Sequence, residues 1–235
     1  MRIFPAVSGR EVRLPAHFEP YARDVSDTVF TCVLPVPHVP SELRQAWCND
    51  ALLHRLGDPG EVSSLRSGLL GQWSGLQATS QAVIRWLGKL RLRQAAQEIE
   101  PSLLACFGAV FHEDSSGFGD QAFVVVWLTE DEGLDLYFPN IGKRVALSHG
   151  VSVLFDSCQP HGVVQRGTEI WDPGAWLPRD PQLFLSWDLP LHRRALRNRL
   201  GVRLLREEGQ THIALPHVRG QRVQVDPKTG HWYQV

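Results

Sequence analysis

Three side chains in this sequence are natural metal donors. His112 and Asp114 stand in Phe111-His-Glu-Asp114, and His161 stands in Pro160-His-Gly-Val-Val164. Residues two apart on a strand project from one face, so His112 and Asp114 are expected to point together into one cavity. A histidine returning on a later strand would complete a set of two imidazoles and one carboxylate. Such a set on one side of a metal ion leaves the other positions open, the arrangement that suits non-haem Fe(II). Glu113 alternates away from that face and reads as solvent-facing or as support for its neighbours.

A His-x-Asp tripeptide alone is common by chance; the surrounding elements carry the signal. Ser115 to Asp120 reads as a turn. Gln121 to Leu128 is rich in β-branched and aromatic residues and reads as a buried strand. Acidic residues and Gly133 make a turn before the strand Leu134–Phe138, and Pro139 to Gly142 is a further turn signal. Short strands follow over 143–147 and 151–155, and the segment then meets His161.

That order resembles the double-stranded β-helix core of the Fe(II)/2-oxoglutarate-dependent oxygenases. The matching pieces are His112-x-Asp114, the acidic-Gly turn ending at Gly133, Gly150-Val-Ser-Val-Leu-Phe-Asp156, and His161-Gly-Val-Val. They lie within residues 104–189, about a third of the chain. The resemblance implies a mainly β chain, a jelly-roll core flanked by N-terminal helices, with His112, Asp114 and His161 as iron ligands. It also implies 2-oxoglutarate and O₂ as co-substrates for oxidation of a C–H bond. The core would span about 104–189 of a single domain, with helical and strand support over 1–103 and a basic helix and hairpin over 190–235.

In that family the distal carboxylate of 2-oxoglutarate is gripped by a cation, often an arginine on the final core strand, where the guanidinium fork suits a carboxylate. Here Arg166 follows His161 closely, and an insertion with Trp171 and Trp176 separates it from Arg179, at the entrance of the expected last strand, 182–188. Arg179 is the preferred anchor, Arg166 the second, and Lys143 or Arg144 the third. Trp171 and Trp176 are candidates for stacking on a substrate.

A chain of 235 residues, 43% hydrophobic, can bury a full core. Its formal net charge of −1 favours neither nucleic acid nor membrane as a partner. No apolar run approaches the ~20 residues of a membrane-spanning helix, and the first residues carry no signal-peptide pattern. The four cysteines, Cys32, Cys48, Cys106 and Cys158, are too sparse for a disulfide framework, which fits reduced thiols in a cytoplasm. Cys106 and Cys158 read as small buried hydrophobes.

Elsewhere, 29–34 is expected to add a strand, 42–56 a helix capped by Ser41, and 79–99 a helix with Val83, Trp86, Leu87 and Leu90 on its buried face. Residues 58–75 read as a loop with a short helical turn, and 212–235 as a hairpin. Six arginines from Arg193 to Arg206 form a basic segment with Leu196 and Leu200 as an apolar stripe. Its expected role is a solvated face, with nucleic-acid contact the lesser reading. The readings that compete with an oxygenase are a non-catalytic jelly-roll binding protein and a metal cupin that ignores 2-oxoglutarate. The closely spaced histidines and glutamate of cupins are missing. Substrate and oligomeric state are left open.

Overall fold

The computed structural model describes residues 21–53, 60–97, 99–176, 180–204 and 214–235. Eight strands in chain order build the core: β4 (Ser102–Cys106), β5 (Ala109–His112), β6 (Gln121–Trp127), β7 (Leu134–Phe138), β8 (Lys143–Ala146), β9 (Val151–Asp156), β10 (His161–Gln165) and β11 (Gln182–Pro190). They divide four and four between two facing antiparallel sheets. The smaller has the order β5-β10-β7-β8, and the larger contains β9-β6-β11-β4. That strand order is the double-stranded β-helix. Two further strands extend the larger sheet, β2 (Phe30–Val33) beside β9 and β3 (Val62–Ser64) beside β4. The first realises the expected strand at 29–34; the second lies in a stretch that reads as loop in the sequence.

Alternation along the strands divides the apolar residues between two cores. Phe123, Val125, Trp127, Val153, Phe155 and Phe184 of the larger sheet face Leu134, Leu136, Phe138 and Val163 of the smaller one. The opposite face of the larger sheet, including Val124, Leu154, Leu183, Leu185 and Trp187, packs on helices. Those helices are α1 (Ser41–Leu53), α3 (Leu76–Lys89) and α5 (Arg194–Leu200), which bury Trp47, Val83, Leu87, Leu196 and Leu200. Fully burying one such side chain stabilises the fold by about 1.5–3 kcal/mol. Two short helices complete the set among the described residues, α2 (Ser67–Leu70) and α4 (Ser115–Phe118).

The helix expected over 79–99 stops ten residues early. Arg91 adopts a left-handed φ of 64°, and the Leu92 amide bonds back to the Leu87 carbonyl at 2.7 Å. This closes α3 in a Schellman turn and drops Leu92 into the core. The basic segment is similarly shorter than expected: α5 ends at Gly201, in a left-handed conformation, and residues 205–213 are outside the described set. The C-terminal hairpin is present as β12 (Ala214–Val218) and β13 (Gln221–Val225), with β14 (Trp232–Gln234) added. Its first strand pairs in parallel with β1 (Tyr21–Asp24), so residues from both ends of the described chain share one small sheet. Cys106 and Cys158 are fully buried, and all four cysteines are free thiols. Burial pushes Cys106 up to about 12. Among the described residues no helix is long and apolar enough to cross a membrane.

Candidate metal centre

His112 ends β5 and His161 begins β10, and the two are cross-strand partners. Simple alternation would not put them together. Ala109, three residues before His112, already faces the interior, so His112 should face out. The register instead shifts between β5 and β10: Ala109 pairs with Val163 and His112 with His161, leaving one extra residue on β5. This bulge turns Phe111 to the outer face, against Tyr137 and Val164, and His112 to the inner one. The backbones must approach closely there. A Cβ on Gly162 would lie 2.8 Å from Phe111 Cδ1 and 3.0 Å from the Ala109 carbonyl oxygen, so only glycine fits.

Asp114 arrives by a different route from the one its spacing suggests. It is not on the strand; it caps α4, with φ −108° and ψ 26°. Its amide donates to the Ser157 carbonyl at 2.9 Å, which ties it to the turn between β9 and β10. The carboxylate oxygen stands 3.8 Å from Nε2 of both His112 and His161. One donor atom from each of the three residues lies within 4.8 Å of the others. Glu113 supports the bend by accepting the Ser115 amide at 2.6 Å, and burial raises its carboxyl above the usual range.

The tautomers follow from the backbone. His112 Nδ1 lies 2.7 Å from the Val110 carbonyl and His161 Nδ1 lies 2.9 Å from the Gln159 carbonyl. A carbonyl can only accept, so each Nδ1 carries the proton and each Nε2 presents its lone pair to the cavity. Burial, reinforced by His112, holds His161 well below the ordinary 6.5, so it is neutral at physiological pH. Burial also raises Asp114. Two imidazoles that present Nε2 and one part-buried carboxylate match the donor set of a divalent transition metal.

Beneath the triad lies a fully buried ion pair. Arg23, from β1, contacts Asp156 at the end of β9 and donates from Nε to Cys158 Sγ at 3.3 Å. Asp156 also accepts the amides of Ser26 at 2.8 Å and Cys158 at 3.0 Å. This network fixes the 156–160 turn, which supplies the carbonyls that hold Asp114 and His161. Asp156 belongs to a motif visible in the sequence. Arg23 does not: nothing near Tyr21-Ala-Arg-Asp24 announces a partner more than a hundred residues away.

The expected carboxylate anchors are dispersed. Arg179 lies outside the described residues, as does the side chain of Trp176. Arg166 does not reach the triad: its guanidinium is committed to Asp131 at 2.8 and 3.0 Å and to Asp135 at 3.0 Å. These bonds hold Asp131 below the usual carboxylate range. Arg144 stacks 3.8 Å over Tyr137, on the outer face of the smaller sheet. Lys143 differs. It pairs with Phe138, an interior residue whose ring is 6.1 Å from that of His161. Its Nζ donates to the Val29 carbonyl at 2.7 Å. Among the described residues, Lys143 is the only cation on the inner faces of the eight core strands. Trp171 is half-buried and packs at the β5 edge by Val110 and Gly60, with Phe111 beside it, so packing is its observed role.

No protein-family model matches the chain, and no curated protein matches it. Solved structures resemble it at low identity. The viral collagen prolyl hydroxylase from Paramecium bursaria Chlorella virus-1, a 2-oxoglutarate complex, aligns with a TM-score of 0.41 and 10% identity over 68% of this chain and 94% of that one. A Pseudomonas putida prolyl-4-hydroxylase aligns with a TM-score of 0.40 and 17% identity over 69% and 92%. The non-heme α-ketoglutarate-dependent carbocyclase SnoK from nogalamycin biosynthesis aligns with a TM-score of 0.37 and 11% identity over 76% and 90%.

Proposed function

We propose that this chain is an Fe(II)- and 2-oxoglutarate-dependent oxygenase. The observation that carries the proposal is the convergence of His112 Nε2, His161 Nε2 and the Asp114 carboxylate at one end of a double-stranded β-helix. Bound Fe(II) would supply activation of O₂ and oxidation of a substrate C–H bond, with 2-oxoglutarate converted to succinate and CO₂. The protein's part is orientation. The Val110 and Gln159 carbonyls fix the two rings, and Ser157 fixes Asp114. Phe123, Phe138 and Phe155 wall the interior beside His161 and keep it poor in water.

Lys143 is the cation we assign to the far carboxylate of 2-oxoglutarate. It lies on the interior face, at the same end of the barrel as the triad, and its present partner is a neutral carbonyl that a carboxylate could displace. Arg179, at the approach to β11, is the competing anchor. A small molecule or an amino-acid side chain of a protein is the proposed substrate class.

The test is anaerobic titration with Fe(II) and then 2-oxoglutarate, following the visible charge-transfer band of a chelated keto acid. The band should appear and should be lost in His161→Ala. Lys143→Ala should weaken 2-oxoglutarate binding by about 2–4 kcal/mol, the scale for truncating one partner of a desolvated charge pair. An equal loss in Arg179→Ala, with Lys143→Ala unchanged, would move the anchor to β11. Metal binding without the band would instead indicate a metalloprotein that does not use the keto acid.

A further inference from the structure

Two pairs of arginines, remote in sequence, meet on the helix side of the larger sheet, across that sheet from the triad. Arg91 and Arg93 follow α3, and Arg193 and Arg194 open α5. Together they ring an open cavity of about 510 Å³. Its floor is apolar, made by the buried Leu92 and Leu196, and none of the described residues that line it is a carboxylate. Arg193 is held in place: its Nη1 donates to the Gln94 carbonyl at 2.7 Å, which joins the two walls. Arg91, Arg93 and Arg194 form no ion pair with any described residue. Three arginines without a described ion pair thus share one concavity with Arg193, in a chain whose formal net charge is −1.

The backbone adds an independent observation. Arg91 occupies the left-handed position of the Schellman turn, with φ 64°, where glycine is the unstrained choice. A long cationic side chain is kept at a conformational cost, and it projects beside Arg93.

We propose that this cavity is a binding site for a small molecule bearing an oligophosphate group. Guanidinium forks bind phosphate oxygens with paired hydrogen bonds. The cavity volume falls in the range of ligand pockets, about 300–1,000 Å³. The three arginines without a described ion pair, Arg91, Arg93 and Arg194, suit the negative charge of a di- or triphosphate. None of the described lining residues is an aromatic on which bases could stack, which argues against a single-stranded nucleic acid. Two further arginines of the basic segment are occupied elsewhere: Arg203 pairs with Asp24 at 2.9 Å and Arg199 lies 5.0 Å over Phe30. The site stands apart from the proposed oxygenase chemistry and does not depend on it.

The experiment is calorimetric titration of the full chain with inorganic pyrophosphate and tripolyphosphate, with orthophosphate, citrate and a short RNA oligonucleotide as comparison arms. Saturable binding is expected, strongest for tripolyphosphate and weakening as salt rises. The double variant Arg93→Gln/Arg194→Gln should lose at least about tenfold in affinity, a change of ~1.4 kcal/mol. Arg91→Gly is the separating variant: affinity should fall while the melting temperature rises, which a purely structural arginine would not produce. Cobalt(II) titration of the triad should be unchanged in all of them. Absence of saturable binding, equal affinity in the variants, or tighter binding of citrate or RNA than of tripolyphosphate would each overturn the proposal.

Discussion

The two ends of the barrel are built from similar polar side chains put to opposite uses. At the end where β6 and β10 finish, Gln182 is satisfied on every side. Its Oε1 accepts from Trp127 Nε1 at 3.1 Å and Thr129 Oγ1 at 2.8 Å, and its Nε2 donates to Glu132 at 2.8 Å. At the end where those strands begin, the polar network stops short. Arg23 and Asp156 hold each other and the 156–160 turn, and that turn aims side chains whose ligand atoms approach one another at 3.8 Å. A buried polar cluster that closes on itself is scaffold; one that holds lone pairs open toward a cavity awaits a ligand.

The largest effect should come from breaking the scaffold under the open end. Arg23→Met leaves Asp156 buried and unpaired, and should destabilise the fold by about 3–5 kcal/mol in denaturant unfolding. Replacing the pair together, as Arg23→Met/Asp156→Leu, should recover part of that loss. No recovery would mean that Asp156 matters chiefly through the Ser26 and Cys158 amides.

Next come the triad residues. His112→Ala, Asp114→Ala and His161→Ala should each lower Co(II) or Fe(II) affinity by more than the roughly 10–100-fold typical of losing an outer hydrogen bond. Chemical stability of the metal-free protein should change little. Wild-type metal affinity surviving all three would erase the contrast between the ends.

Gln182→Ala probes the closed end. It strands the Trp127 and Thr129 donors and should cost about 1–3 kcal/mol of stability while leaving metal affinity unchanged.

The smallest effect is in pH. His161 titrates below the ordinary 6.5 in the folded chain. The unfolded chain therefore takes up a proton that the native one refuses, and metal-free stability contributed here is present above 6.5 and falls as pH drops below it. Asp114 is raised from 3.8 and acts with the opposite sign: its contribution is present below 3.8 and is lost as pH rises through its folded value. His161→Leu should flatten the slope just below 6.5 in urea titrations at stepped pH. An unchanged slope would place that titration elsewhere.

The order of strands could be read from the chain because alternation and turn residues are local. Val124 and Val126 face the helices while Val125 faces the cavity, as period two requires. The identities of the three proposed ligands could be read for the same reason. How they converge could not. The bulge before His112 breaks the alternation, and no single residue signals it; Gly162, on the partner strand, is its nearest trace. The end of α3 was hidden because arginine stands where glycine would have marked the stop. Arg23 was invisible because its partner is distant in sequence, and that Lys143 and Arg166 lie on opposite faces of one sheet depends on strand register.

The parallel pairing of β1 with β12 has a consequence for assembly. Arg23 reaches Asp156 only when strands from opposite ends of the described chain lie side by side, Tyr21 on Ala214 through Asp24 on His217. Contacts of such long range form slowly, after the local hairpins of the barrel. The barrel can therefore close before the turn that presents His161 and Asp114 is stapled. The turn that presents His161 and Asp114 is thus stapled by a contact that the hairpins of the barrel do not themselves supply.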